Sequence, residues 1–341
     1  MATLKDLARS LNLSVMAVSK ALRDAPDISK ATKERVQAEA RRRNYVPNRA
    51  AQNLRLKNSG LLGVVMPNIN HTYYSHLVWG IERQAESLGF QILLAHSSER
   101  GDVELAEIRK LVSRQVQGVV MVPAVRLQHR LASLELLQES GIPAVLLDRY
   151  PAGVEQFPRV GWVVSKDQQG AELATRHLLD LGHKEILFLA GPNGSSSAAA
   201  RFGGYQRAMN LSKVGFEDRR VFLAGQDIEA GKQAMSQALS ENITFTAAVA
   251  FNDSVAMGAI EILLQQGFRV PEQVSVTGFG DGLLATHYRV PLTTLRVPQL
   301  EMGTAAVHLL KELMDGERTS SREMPVEMVV RQSTAAVGAQ G

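Results

Sequence analysis

The sequence predicts a small N-terminal all-α headpiece followed by an α/β core of two parallel-sheet sub-domains. Residues Leu4–Leu22 read as two short helices around a tight turn. From Leu61, short apolar runs alternate with helical patterns, as parallel strands joined by crossover helices do. The charge is also uneven. Through Asn58, thirteen basic residues stand against five acidic ones, a balance of +8, and the remainder carries 25 basic and 29 acidic residues. A basic head on a mildly acidic body suggests that only the head meets a polyanion.

Each element has a local reason. Leu4, Leu7, Ala8 and Leu11 recur at helical spacing and give a first helix one apolar face. Asn12 tolerates the left-handed backbone of a tight turn, and Ser14 is placed to cap a second helix. That helix buries Val15 or Ala17, with Val18 and Leu22, and turns Met16, Ser19, Lys20 and Arg23 outward. Such a helix-turn-helix can lay its second helix in the DNA major groove, although an ordinary helical hairpin shares the pattern. A third helix from about Lys30 to Arg43, capped by Ser29, offers Ala31, Val36 and Ala40 to close a small core. Pro47 ends that region. Arg49–Leu56 follows, too short to be a stable helix alone, since ~12–15 residues are marginal in water.

In the core, the runs LLGVVMP, FQILLAHS, GVVMVP and AVLLD form one series of strands. VGWVVS, EILFLAG, VFLAG, AAVAFN and VSVTGFG form a second, and MPVEMVVRQST reads as a last strand. Pro151–Arg159 looks like the break between the series.

Composition narrows the function. Hydrophobic content of 45% and charged content of 21% are those of a globular protein. Without cysteine, disulfides and thiolate metal sites are excluded. No apolar run reaches the ~18 residues of a membrane helix, and Lys5, Asp6 and Arg9 interrupt any signal-peptide core, so a cytoplasmic protein is expected. GQDIEAGK at Gly225–Lys232 imitates a phosphate loop with the wrong spacing and no Ser or Thr after the lysine. No nucleophile elbow or dinucleotide fingerprint is present. No enzyme and no cofactor is therefore expected.

Ligands of open parallel sheets bind beyond the carboxyl ends of the strands. Those ends carry Asn68, Asp148, Gly191-Pro192, Asn252-Asp253 and Asp281, while Ser195, Ser197 and Arg201 follow a flexible loop. Carboxylates, an amide, hydroxyls and a guanidinium together suit a polyol, whose hydroxyls need both donors and acceptors.

These residues resemble the lac repressor (LacI/GalR) family of bacterial transcription regulators. The resemblance runs over almost the whole chain, through LKDLARSLNLSVMAVSKAL, VPNRAAQNLRLKNSGLLGVVMPNI, HLLDLGHKEILFLAGP, RFGGYQRAM, AFNDSVAMGAI, VPLTTLRVP and VVRQST. It implies a headpiece over 1–46, a hinge helix in 47–58 and a type I periplasmic-binding-protein-like core over 59–341. The core would divide into about 60–158 with 298–319, and about 162–294 with 322–335, crossing near 157–163, 295–299 and 320–324. It further implies a homodimer on a near-palindromic operator, a nucleoid-associated protein, and a sugar, phosphosugar or sugar acid as effector. By the resemblance, Leu4, Ser14, Val15, Met16, Ser19, Lys20, Asn48, Arg49, Ala51 and Leu54 meet DNA, with Leu54 as a minor-groove wedge. Tyr73, Tyr74, Asp148, Ser195, Ser197, Arg201, Asn252 and Asp281 meet effector. One departure stands out: the family commonly shows two acids after G-[YF], where this chain reads Gly278-Phe279-Gly280-Asp281. With that acceptor gone and Arg201 the only permanent cation of the set, an anionic effector is favoured, unless Arg201 pairs with an acid between the sub-domains.

Overall fold

The computed structural model describes residues 2–45, 59–124, 131–317 and 321–338. The expected hinge, with Asn48, Arg49, Ala51 and Leu54, lies outside these residues. The chain divides into two compact units, Met1–Ser59 and Gly60–Gly341.

In the first unit, α1 (Leu4–Leu11), α2 (Val15–Leu22) and α3 (Lys30–Arg42) form a three-helix cluster. Thr3 and Asp6 make a reciprocal capping box at α1, and Asn12 ends that helix at φ 54°. Ser14 Oγ accepts from Ala17 N at 3.1 Å and Ser29 Oγ from Thr32 N at 3.3 Å, so two hydroxyls satisfy donors that the helix starts leave open. The core is Leu7, Ala8, Val18, Ala21, Val36 and Ala40. Val15 stays exposed on α2, and Ala31, expected in the core, is exposed on α3.

The second unit carries a six-stranded parallel sheet in the order β11-β5-β4-β3-β1-β2. Its strands are β1 (Leu61–Met66), β2 (Gln91–His96), β3 (Gly118–Met121), β4 (Ala144–Leu147), β5 (Val160–Ser165) and β11 (Arg322–Met324). A four-stranded parallel sheet, β7-β6-β8-β9, comprises β6 (Ile186–Ala190), β7 (Val221–Leu223), β8 (Ala247–Ala250) and β9 (Ser275–Thr277). An antiparallel pair, β10 (Thr294–Arg296) and β12 (Glu327–Val329), bridges onto the end of β9 at Thr277–Thr293 and Gly280–Arg296.

Two readings change here. VGWVVS, taken as the first strand of the second series, pairs with β4 and belongs to the first sheet, so the first passage between sub-domains follows Ser165. The closing MPVEMVVRQST is not one strand: Arg322–Met324 joins the first sheet beside β5, whereas Glu327–Val329 pairs with β10. Strand alternation cannot reveal which neighbour a short strand chooses, because both sheets offer a buried edge.

The helices around the first sheet are α4 (Thr72–Ser87), α5 (Gly101–Ser113), α6 (Ala132–Glu139) and α12 (Gln299–Met314). Around the second lie α7 (Asp167–Asp180), α8 (Ser196–Leu211), α9 (Ile228–Ser240), α10 (Asp253–Gln265) and the short α11 (Leu283–His287). The sequence reading missed α12, although Met302, Ala306, Leu309, Leu310 and Leu313 are its buried stripe. It returns the chain to the first sub-domain and packs along α4. There a Cβ on Gly303 would stand 2.3 Å from Leu77 O, and one on Gly80 2.2 Å from Leu300 O, so two glycines let the backbones touch.

Candidate functional site

The first candidate surface is α2. Its buried side holds Val18 and Ala21, which leaves Val15 41% and Met16 65% exposed at its N-terminal turn. Ser19 and Lys20 follow on the outer side, half-buried, and Lys20 forms an ion pair with Asp27. Leu4 packs against the three-helix core. At the end of α3, Arg42 and Arg43 both clasp Glu39, at 2.7 and 2.6 Å, and hold its carboxyl down at about 2.

The second candidate is a cleft of about 490 Å³ in the core, within the range of small-molecule sites. The carboxyl ends of strands from both sheets build it. β1 leads to Asn68, β2 to His96 and Glu99, and β4 to Asp148 and Arg149. From the second sheet, β7 leads to Gln226 and Asp227, β8 to Phe251 and Asn252, and β9 to Phe279 and Gly280. Tyr73 and Tyr74, on the first turn of α4, pack edge to face at 5.3 Å. Tyr73 Oη donates to Asp148 Oδ1 at 2.7 Å. Asp148 itself sits at φ 68°, a left-handed backbone that Asp tolerates better than most residues.

Each side of the cleft holds one buried guanidinium. On the first side, Arg149 donates to both oxygens of Glu99 (2.7 and 2.8 Å) and to Pro123 O (2.7 Å). On the second, Arg201 Nε donates to Asp167 Oδ1 at 2.8 Å and Nη1 to Phe251 O at 2.9 Å. Its carbon lies 3.8 Å from the Phe279 ring centre and 4.7 Å from that of Phe251, so two π-faces hold it flat. Burial lifts Asp167 to about 6, the charge of Arg201 opposing the rise. Asp253, on the first turn of α10, accepts from Thr294 Oγ1 and from Gly282 N. Burial lifts it to about 6 as well.

Among the described residues, hydrogen bonds between the two sub-domains include Gln299 Nε2 donating to Gly280 O at 2.7 Å and three more. His71 Nε2 meets Ser254 Oγ at 3.3 Å, Gln226 Nε2 donates to Glu99 Oε1 at 3.1 Å, and Tyr150 N donates to Ser196 Oγ at 3.0 Å. His71 Nδ1 accepts from Tyr73 N, which leaves Nε2 to carry the proton, and burial holds its pKa below the usual histidine value.

Five of the effector-contact residues expected from the sequence line this cleft: Tyr73, Tyr74, Asp148, Arg201 and Asn252. Asn252 is partly engaged, since its Oδ1 caps α10 and its Nδ2 donates to Gln226 O. Ser195 and Ser197 are absent from the lining; they are buried and bonded to each other at 2.8 Å, with Ser195 capping α8. Asp281 is also absent, because it turns away to pair with Arg296 (2.7 Å) and Arg331 (2.6 Å). The expectation of an anionic effector rested on the acceptor missing at Gly280 and on Arg201 as a free cation, and the pairing of Arg201 with Asp167 removes the second of these. The pair also joins α7 to α8 within one sub-domain and does not tie the two together. Sequence reasoning passed over Glu99, Arg149 and Gln226. Arg149 follows Asp148 directly and could have been found at that strand end; Glu99 and Gln226 lie in loops without any pattern.

Among the described residues no group of histidines, aspartates and glutamates is arranged to hold a metal ion, and no helix is long and apolar enough to cross a membrane.

Residues 59–334 match the family described as periplasmic binding proteins and sugar binding domain of LacI family, and residues 3–48 match bacterial regulatory proteins, lacI family. The HTH-type transcriptional regulator GalR of Escherichia coli (strain K12) is 32% identical over 315 residues, covering 92% of this chain and 90% of that protein. Catabolite control protein A of Priestia megaterium is 29% identical, covering 97% and 99%. Among solved structures, the lac repressor dimer bound to operator and the anti-inducer ONPF has a TM-score of 0.88 at 28% identity, covering 98% of this chain and 99% of that one. The complex of the transcriptional regulator CelR with cellobiose has a TM-score of 0.74 at 26% identity, covering 98% and 100%.

Proposed function

The chain belongs to the LacI family of DNA-binding transcriptional regulators with an effector-binding core, and on that premise we propose that it is a repressor. It binds a near-palindromic operator as a homodimer and changes its DNA affinity when a sugar-like effector enters the core cleft. It has no catalytic role. Val15 and Met16, with Ser19 and Lys20 behind them, are the base-reading face; Ser14 and the basic residues around it hold phosphates.

The cleft is the observation that carries the effector half of this reading. It combines carboxylate, amide and guanidinium groups with the aromatic side chains of Tyr74, Phe251 and Phe279 in its lining. A sugar ring needs that combination: polar groups around its hydroxyls and a flat apolar surface for its C–H face. The cellobiose complex of CelR and the ribose complex of an Enterococcus faecium family member are in keeping with it. Because both sub-domains wall the cleft, a ligand that binds one arrangement of them more tightly shifts the population, and linkage carries that shift to DNA.

The test begins with an operator selected from a randomised duplex library, followed by titration at several salt concentrations. We expect a two-fold-symmetric site and log K falling by roughly 0.9 per log salt for each phosphate neutralised. A panel of sugars is then screened for a change in operator affinity. Selection of no sequence, or a salt-independent affinity, would remove the regulator reading.

A further inference from the structure

The cleft holds more acid than base. Glu99, Asp148, Asp227 and Asp253 line it, and Asp167 stands directly behind Arg201. Against these five acids are two permanent cations, Arg149 and Arg201. Arg149 is held by Glu99 at 2.7 Å with Asp148 at 3.7 Å, and Arg201 is held by Asp167 at 2.8 Å. Among the described residues no lysine or arginine forms an ion pair with Asp253 or Asp227. Arg331, whose charge acts on Asp253, is taken by Asp281 at 2.6 Å.

Asp253 is also where the cleft has room. Gly280 stands at φ +136°, and a Cβ built there would meet only Asp253 within 4 Å, its Oδ2 at 3.3 Å. At Gly280 this chain therefore leaves open space with a buried carboxylate at its back. The two protein donors to that carboxylate, Thr294 Oγ1 and Gly282 N, are both neutral. A carboxylate in that state favours a cation far more than a neutral donor, because the surrounding low dielectric strengthens their attraction.

We propose that the effector is a sugar or similar polyol carrying a protonated amine, and that the amine occupies the space beside Gly280 and pairs with Asp253. The inference rests on the effector-cleft reading above and specifies its ligand class. The same cleft disfavours phosphosugars and sugar acids, because their negative charge would meet the surplus carboxylates with both guanidiniums already engaged. Burial that raises Asp253 to about 6 is the cost of an unpaired carboxylate, and a cation at that place relieves it.

The experiment is a calorimetric titration of the full-length protein with matched sets on one ring: glucose, glucosamine, gluconate and glucose 6-phosphate, and the corresponding galactose and mannose sets. In whichever set binds, the amine should be roughly tenfold or more tighter than the neutral sugar, and the two anions weaker than both. Asp253→Asn keeps an acceptor but removes the charge, and should bring amine and neutral sugar to equal affinity. If a neutral or anionic member binds tightest, the amine proposal is overturned while the effector reading stands. If no set binds, the sugar-like effector reading itself fails, and the proposal with it. Should Asp253→Asn not fold, the wild-type ranking decides alone.

Discussion

The two units handle charge in opposite ways. In the headpiece, ionic groups lie at the surface: the pairs Arg42–Glu39, Lys33–Asp24 and Lys20–Asp27 each leave at least one partner well exposed. Its interior is six apolar side chains. In the core, Arg149, Arg201, Asp148, Asp167 and Asp253 are all buried around one cleft. Exposed pairs are screened and weak, so the headpiece can offer its positive field to a polyanion with little effect on its own fold. Buried charges are costly to desolvate and take up hydrogen bonds or ion pairs in return, so the core's ionic groups fix a shape. The difference separates a surface that recognises by net charge from a cavity that recognises by arrangement.

Substitutions can break this contrast, and the largest effect should come from the headpiece interior. Leu7→Ala removes about 2–5 kcal/mol by cavity formation, which is comparable with the whole stability of so small a domain. Calorimetry should show the headpiece transition lost and operator binding abolished, with the core transition unmoved. A single transition shifted as a whole would mean that the two units do not melt independently.

Arg201→Ala should be the next largest. It leaves Asp167 buried without its partner and opens a gap between Phe251 and Phe279, at a cost of about 3 kcal/mol. Urea unfolding of the core should report it, with the headpiece unchanged. A change below about 0.5 kcal/mol would place this pair with the exposed ones.

A smaller effect should appear with pH. Burial raises Asp253 from 3.8 to about 6, so the native protein holds this proton more tightly than the unfolded chain does. Its contribution favours folding fully below pH 3.8 and fades as pH rises to about 6. Core stability of wild type relative to Asp253→Asn should therefore fall across that window, by roughly 2–3 kcal/mol. A difference independent of pH would show that Asp253 is not titrating with folding. In the headpiece the sign reverses, since Arg42 and Arg43 depress Glu39 and that contribution is lost in acid as pH falls through about 2.

The sequence alone determined the local structure and the family. Helix starts were legible because Ser14 and Ser29 are hydroxyls placed just ahead of apolar periodicity, and the turn was legible because Asn12 can enter a left-handed backbone. The strand series was legible because continuous apolar runs are what a sheet covered on both faces demands. The strand-end rule also placed Asp148 and Asn252 at the cleft from chain position alone. Only the tertiary structure decided the rest. The sheet that Val160–Ser165 joins, and the split of the last strand between two sheets, depend on edges that exist only after the sub-domains assemble. Arg201 looked like a free cation because its partner Asp167 lies 34 residues away, and Asp281 looked like a ligand contact because Arg331 lies 50 residues away. Ionic partners in a buried site are chosen by three-dimensional proximity and desolvation, and neither leaves a period in the chain.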